Sequence, residues 1–427
     1  MSTFHLDIYL SGTKGKPVFR KTNFGFSIGP YTGIASEQDL GKHRVARKWM
    51  APVFGPNILK EQDPVLHRVV DIAVNKMALR GNTPEGLNMI DWCNWIACDL
   101  AGILGWGHDF GNLKNEKTSL PLQWFNNVMF WVTVDQAFKQ LPLLHPLVYL
   151  GLPLSMIRVL RALKAVVRDR VENRKDYKQR DYFTALLQDG KAIPNENLDY
   201  LVAHSTSLFI AGVEPNSQLF SSMILFLAQN PDKLKKLTDE IRGMFKRYED
   251  IVDEELTRLP WLSAVIEESL RLHTNAANGQ PRISPGATVD GHYIPAGCHV
   301  QTAIFTTYHS ERYWHKPNSF CPERWLPATD PDHDPAFAKD MREHFRPFSV
   351  GNRNCIGQNM AYRQARVLMA KMAWKLDWEL VNGDEFDWQR DLRLYATYTR
   401  PEYRARFRLS DVAKAAAAEE GEKLIAV

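Results

Sequence analysis

The stretch FRPFSVGNRNCIGQNMAY, residues 345–362, holds the residue types best suited to chemistry. It places Phe348, Gly351, Arg353, Cys355 and Gly357 at the spacing FxxGxRxCxG, just ahead of an apolar run of helical period. A thiolate needs stabilising charge, and a loop entering a helix offers unpaired backbone N–H groups together with the positive helix end. Glycines let a backbone approach a flat macrocycle closely, Phe348 can shield a sulfur from water, and Arg353 can pair with an anionic propionate. Five such positions within ten residues point to Cys355 as the axial thiolate ligand of a haem iron, not to a structural cysteine at a helix start.

The other four cysteines, Cys93, Cys98, Cys298 and Cys321, are scattered and form no CxxC pair. Neither a disulfide framework nor a thiolate zinc site is indicated, and a reducing compartment fits. The chain has 427 residues, 44% of them hydrophobic, enough to bury a large core. Its 53 basic and 49 acidic residues nearly cancel, which argues against nucleic-acid binding through a broad positive field.

The elements that must position Cys355 are mostly helical. HRVARKWMAPVF, PVLHRVVDIAVNKMAL, NMIDWCNWIACDLAGIL, LDYLVAHSTSLFIAGVEPNSQLFSSMILFLAQ and PDKLKKLTDEIRGMF repeat apolar residues at three- and four-residue intervals. After Pro281 the pattern changes: ATVDGHYIPAGCHVQTAIFTT and the region from Trp378 to Leu409 read as short antiparallel strands with Gly and Pro turns. The expectation is a mainly α protein with small β-sheets, a single domain over residues 1–409 and a flexible tail over 410–427. MSTFHLDIYLSGTKGKPVFRK has no long apolar stretch, so neither a signal peptide nor an anchor is expected there. The apolar segment from Leu141 to Leu160 is broken by His145 and three prolines and reads as a core or surface-docking segment.

With these motifs in place, the sequence over roughly residues 20–409 resembles the cytochrome P-450 superfamily, whose signature is this thiolate loop. EESLR supplies Glu268 and Arg271, three apart on one helix face, and CPERW supplies Arg324. The resemblance makes them the family's glutamate–arginine–arginine network, a structural cluster that steadies the haem loop; alone, Glu268 and Arg271 would be an ordinary ion pair. His43 and Arg47 match the family's helix position for two propionate-binding residues, and Arg282 falls where another basic propionate ligand is found.

The resemblance breaks in LFIAGVEPNSQLF. Ala211, Gly212 and Glu214 follow the family pattern, but Pro215 stands where an alcohol-bearing threonine belongs, with Asn216 after it. Proline removes the amide that would bond to the Ala211 carbonyl, so a kink is expected there. Glu214 is expected to relay protons, with Asn216 or Ser217 ordering a water in place of the missing alcohol. The second departure is an N-terminus expected to begin after the anchor helix, hinge and first strands of membrane-bound members, a shortened version of the fold that leaves the strands around ATVDGHYIPAG with an unpaired edge.

What the resemblance implies is a haem-thiolate monooxygenase with haem b, iron protoporphyrin IX, acting on a lipophilic small molecule. Electrons would come from NADPH through a cytochrome P-450 reductase, docked on a basic face drawn from Lys42, Arg44, Lys48, Arg363 and Arg366. The style of HRVARKW and PERWLP is most like filamentous-fungal members of secondary metabolism, at the cytosolic face of the endoplasmic reticulum, with membrane-surface contact left open; the chain as it stands reads as soluble. Two alternatives remain: a reductase-independent haem-thiolate enzyme that rearranges or dehydrates its substrate, and a truncated haem-binding product without turnover.

Overall fold

The computed structural model describes residues 4–421 apart from 11, 13–16, 24–29, 142, 152–153, 174–180, 188–196, 383–386 and 396. Helices dominate, and local chemistry sets their ends. Asp39 caps Leu40–Met50 by accepting the Lys42 amide. Asn88 caps Met89–Trp106, which stops at Gly107 in the left-handed conformation. Asn197 caps Leu198–Gln229, a 32-residue helix about 48 Å long. This helix is buried along nearly all its length and packs against Met89–Trp106, Pro260–Leu272 and Gln358–Lys375. Its helical assignment is continuous through Pro215.

Among the described residues, two antiparallel three-stranded sheets and two hairpins flank the helices. In the first sheet Arg282–Ile283 lies between Arg20–Lys21 and His299–Val300, with Lys21 directly opposite Arg282. In the second, Arg404–Leu409 pairs with both Leu376–Leu380 and Leu87–Asn88. The hairpins are Ala287–Val289 with His292–Ile294, and Arg393–Leu394 with Tyr398–Thr399.

Most expected elements recur with their expected type, with four differences. The AIFTT end of the expected strand region is helical, Ile304–Tyr308. A short helix, Trp388–Asp391, interrupts the strands after Trp378. Residues 411–420 of the expected tail form a helix capped by Ser410, with Ala413 buried in the main core; residues 422–427 lie outside the described residues. The edge beside Ala287–Val289 is partly covered by the helix Phe4–Tyr9, whose Asp7 accepts the Asp290 amide 3.1 Å away.

One apolar core runs from Ile34 to Ala413, and a smaller cluster of Ile8, Tyr9, Phe19 and Ala287 lies against Val350 of the cysteine loop. Among the described residues no helix is long and apolar enough to cross a membrane.

Candidate active site

The loop bearing Cys355 is shaped by its backbone. The Cys355 amide donates to the Phe348 carbonyl at 2.9 Å, and Gly351 has φ +77°. A Cβ on Gly351 would lie 2.4 Å from the Tyr9 carbonyl oxygen, so only glycine fits between the loop and the Phe4–Tyr9 helix. Gly357 has ordinary space around it and stands at the start of Gln358–Lys375. The Phe348 ring packs on Tyr362 with centroids 5.1 Å apart. Burial pushes the Cys355 thiol up, opposed by the Gly357 amide and the Arg47 charge, yet the residue keeps accessible surface.

Around that sulfur the fold assembles basic residues from four of the described segments. Arg47 donates to the Asn354 carbonyl at 2.8 Å, next to Cys355, and His43 lies one turn earlier on the same helix. Arg353 donates to the carbonyls of Glu37 and Gln38. Arg282 is 4% exposed, its guanidinium over the Tyr9 ring at 5.2 Å, and its Nε has no hydrogen-bond partner among the described residues. Lys21 faces it across the sheet.

The group is electrostatically incomplete. Burial, then Arg282 and Arg353, lower Lys21 to about 7. Burial, then Arg353, Lys21, Arg47 and Arg282, lower His43 to about 3. Burial and then Arg282 lower Arg353 to about 10, against the opposing pull of Glu37 and Asp39. Like charges directly opposite in a sheet are destabilising, and a buried guanidinium with an orphan donor calls for an anion. Two carboxylates would satisfy it, so the residues present fit a haem whose propionates meet Arg282, Arg353, Arg47 and His43 while Cys355 offers the sulfur.

The second charged group is complete. Glu268 receives Arg271 at 2.9 and 2.8 Å, Arg324 at 3.0 Å, the Cys321 amide at 2.9 Å and the Trp325 indole at 2.9 Å. Arg324 also pairs with Asp340, and Arg271 donates to the carbonyls of Tyr308 and Pro317 at 2.7 and 2.6 Å. Burial would raise Glu268, but Arg271, Arg324 and the Cys321 amide outweigh it and hold the carboxyl below its usual range.

On the long helix, Glu214 is buried and accepts from Gln218 and from Thr397. Asn216 donates to the Gly212 carbonyl at 2.9 Å and to Gln364 at 2.8 Å, bracing the helix against Gln358–Lys375. The carbonyl of Pro215 accepts from Asn275 at 3.2 Å. Ser217 turns the other way, to Asn94 and Arg400.

Sequence reasoning missed Lys21, Gln218, His273 and Thr397. Gln218 stands four residues from Glu214 and was findable from helical spacing; Lys21 and Thr397 carry no local signal. Of the five basic residues expected to form one docking face, Arg363 and Arg366 are neutralised by Asp63 and Asp253, while Lys42, Arg44 and Lys48 stay exposed. A cavity of about 540 Å³ lies beside the loop, lined by Glu267, Arg346, Phe348 and Tyr362 among others. Neither Cys355 nor any of the five clustered basic residues borders it, so it is not where a haem would bind.

Comparison with known proteins matches the family model described as Cytochrome P450 to residues 10–400. Cytochrome P450 monooxygenase BOA3 of Botryotinia fuckeliana is 35% identical over 410 residues, covering 94% of this chain and 80% of the relative. Cytochrome P450 monooxygenase TwmD of Talaromyces wortmannii is 33% identical over 409 residues, with the same coverage. The trichothecene C-4 hydroxylase of Trichoderma arundinaceum is 30% identical over 346 residues, 79% of this chain and 69% of the relative.

Proposed function

The chain belongs to the cytochrome P450 family of monooxygenases, and from that premise we propose that it inserts one atom of molecular oxygen into a lipophilic small molecule of fungal secondary metabolism. The observation that carries the reading is the Cys355 sulfur beside a cluster of basic residues that includes buried Arg282 with an unsatisfied Nε. Haem with a thiolate ligand, when bound, supplies oxygen activation with two electrons and two protons, leaving one oxygen atom in product and one in water.

The chain's own residues have separate tasks in this reading. Cys355 ligates the iron, its loop held by the Phe348 carbonyl and by the close fit of Gly351 against Tyr9. His43, Arg47, Arg282 and Arg353 orient the macrocycle through its carboxylates, and Phe348 and Gly357 line the sulfur's approach. Glu268, Arg271 and Arg324 tie the segments ahead of the loop together. Glu214 handles protons inside the protein, while Asn216 keeps its helix turn in register with Gln358–Lys375.

Electrons come from NADPH through a partner reductase, for which Lys42, Arg44 and Lys48 offer exposed positive charge. The relatives' fungal origin and the exposed side chains of Leu141, Leu143, Leu144 and Leu147 support work at a membrane surface, the endoplasmic reticulum. Pro215 favours keeping one second reading, a rearrangement or dehydration that consumes no oxygen.

Reduced protein exposed to carbon monoxide should show a thiolate-ligated spectrum that Cys355→Ala abolishes; an unchanged spectrum in the variant would refute the ligand. Product formation with reductase present should stop under argon. Undiminished product without oxygen selects the rearranging enzyme instead.

A further inference from the structure

The geometry points to Thr397 as the residue that passes protons to and from Glu214, supplying from a distant hairpin the hydroxyl that the long helix lacks at Pro215. This inference rests on the monooxygenase reading for its purpose but not for its geometry.

Glu214 lies 8% exposed on the long helix and has two hydrogen-bond partners on the same oxygen, Gln218 and Thr397. The two differ in what they can do. The Gln218 nitrogen also meets the Tyr398 carbonyl at 3.3 Å. The Tyr398 carbonyl only accepts, so that nitrogen is the NH2 end of the amide. The Gln218 oxygen then faces His273 Nε2 at 2.6 Å, and that nitrogen must carry the proton. Burial, then Arg400 and His309, push His273 far below its ordinary range, so it is neutral there. Gln218 is thereby pinned at both ends, and an amide neither gains nor loses a proton at working pH.

Thr397 is different because a hydroxyl donates one proton and accepts others. Its Oγ1 lies 3.2 Å from Glu214 Oε1, reached across 183 residues of sequence. It stands in the Arg393–Thr399 hairpin and is itself only partly buried, so part of its surface meets water. The transfer balances without any other reagent. Protonated Glu214 gives its proton inward and is left as carboxylate. The Thr397 hydroxyl proton moves to that carboxylate while a hydrated proton of the solvent at the hairpin replaces it on Thr397 and leaves neutral water. One proton passes, and both side chains end as they began.

Pro215 explains why the hydroxyl must come from elsewhere, since proline brings neither a hydroxyl nor a backbone N–H. Thr397 acts through Glu214, so it is a positioning and relay residue for the reaction.

The test compares Thr397→Val, Thr397→Asn and Thr397→Ser in the haem-loaded full chain. The first readout needs no turnover: the infrared carboxyl band that Glu214→Gln removes, followed as it shifts on transfer from H2O to D2O in mild acid. Exchange should be fast in wild type and Thr397→Ser, and slow in Thr397→Val and in Thr397→Asn, which keeps a donor to Glu214 but cannot pass a proton. The second readout is reductase-driven oxygen uptake, which should fall about 10²-fold in Thr397→Val and Thr397→Asn. Thr397→Ser should restore it, with a larger solvent deuterium effect in the slow variants. Fast exchange in Thr397→Val or Thr397→Asn, or a Thr397→Ser as slow as Thr397→Val, overturns the relay. Wild-type protein that exchanges as expected yet takes up no oxygen with reductase overturns the monooxygenase reading and leaves the relay standing.

Discussion

Two buried charged groups flank the Cys355 loop, and they differ in whether they are finished. Glu268, Arg271, Arg324 and Asp340 match two acids with two guanidinium groups, which also find carbonyls or rings to meet. Lys21, His43, Arg47, Arg282 and Arg353 set basic groups together, opposed by Glu37 and Asp39, and leave the Arg282 Nε without a hydrogen-bond partner among the described residues. The first cluster is complete without any ligand and therefore serves the structure. The second makes physical sense only with an anion in it, and an unfinished charge set beside a sulfur is what a binding site looks like from its own side.

The difference can be broken from either end. Glu268→Ala should have the largest effect, because it leaves Arg271 and Arg324 buried without their shared acid, at a cost of about 3–5 kcal/mol. Loss of soluble, cooperatively melting protein is expected even without haem. A Glu268→Ala protein that melts normally but binds haem weakly would move this cluster into the ligand site.

Arg282→Gln should do the reverse. With haem absent, it removes like-charge repulsion with Lys21 and Arg353, so the melting temperature should hold or rise. Haem affinity should drop about tenfold to a hundredfold, matching the ~1.5–3 kcal/mol of a hydrogen bond to a charged group. Haem titration beside calorimetry of the haem-free protein checks both halves, and destabilisation without haem would make the second cluster structural after all.

The smallest effect sharpens the comparison at Glu267, next in sequence to Glu268. It accepts from the Tyr362 hydroxyl 2.9 Å away, and burial raises it to about 7 against the pull of Tyr362. The folded state thus holds this proton to higher pH than the unfolded chain. Its contribution is fully present below about 4.5, the unfolded value, and is lost as pH rises through about 7. Glu267→Gln should flatten that decline and raise the melting temperature by about a degree or two at pH 8. Melting curves across pH 4 to 8 measure it; an equal slope in both proteins would remove Glu267 as its source.

How much of this was legible in sequence follows from how far apart the partners lie. Cys355, Phe348, Gly351, Arg353 and Gly357 fall within ten residues, and Glu268 and Arg271 within one helical turn, so spacing alone exposes them. Leu198–Gln229 matches the expected helix end to end, because Asn197 and the Asn-Pro at 230–231 mark its limits locally. The expected docking face lost Arg363 and Arg366 because Asp63 and Asp253 approach them only in the folded chain.

The sequence by itself determined the helical frame, the sulfur and the arginines near it, since periodicity, caps and close spacing act over a few residues. Only the tertiary structure decided which charges are answered and which are left waiting. Lys21 meets Arg282 through sheet register, and Thr397 meets Glu214 through the placing of a hairpin. Compensation of a buried charge depends on distances of a few ångströms between segments far apart in the chain, and no local pattern records those distances.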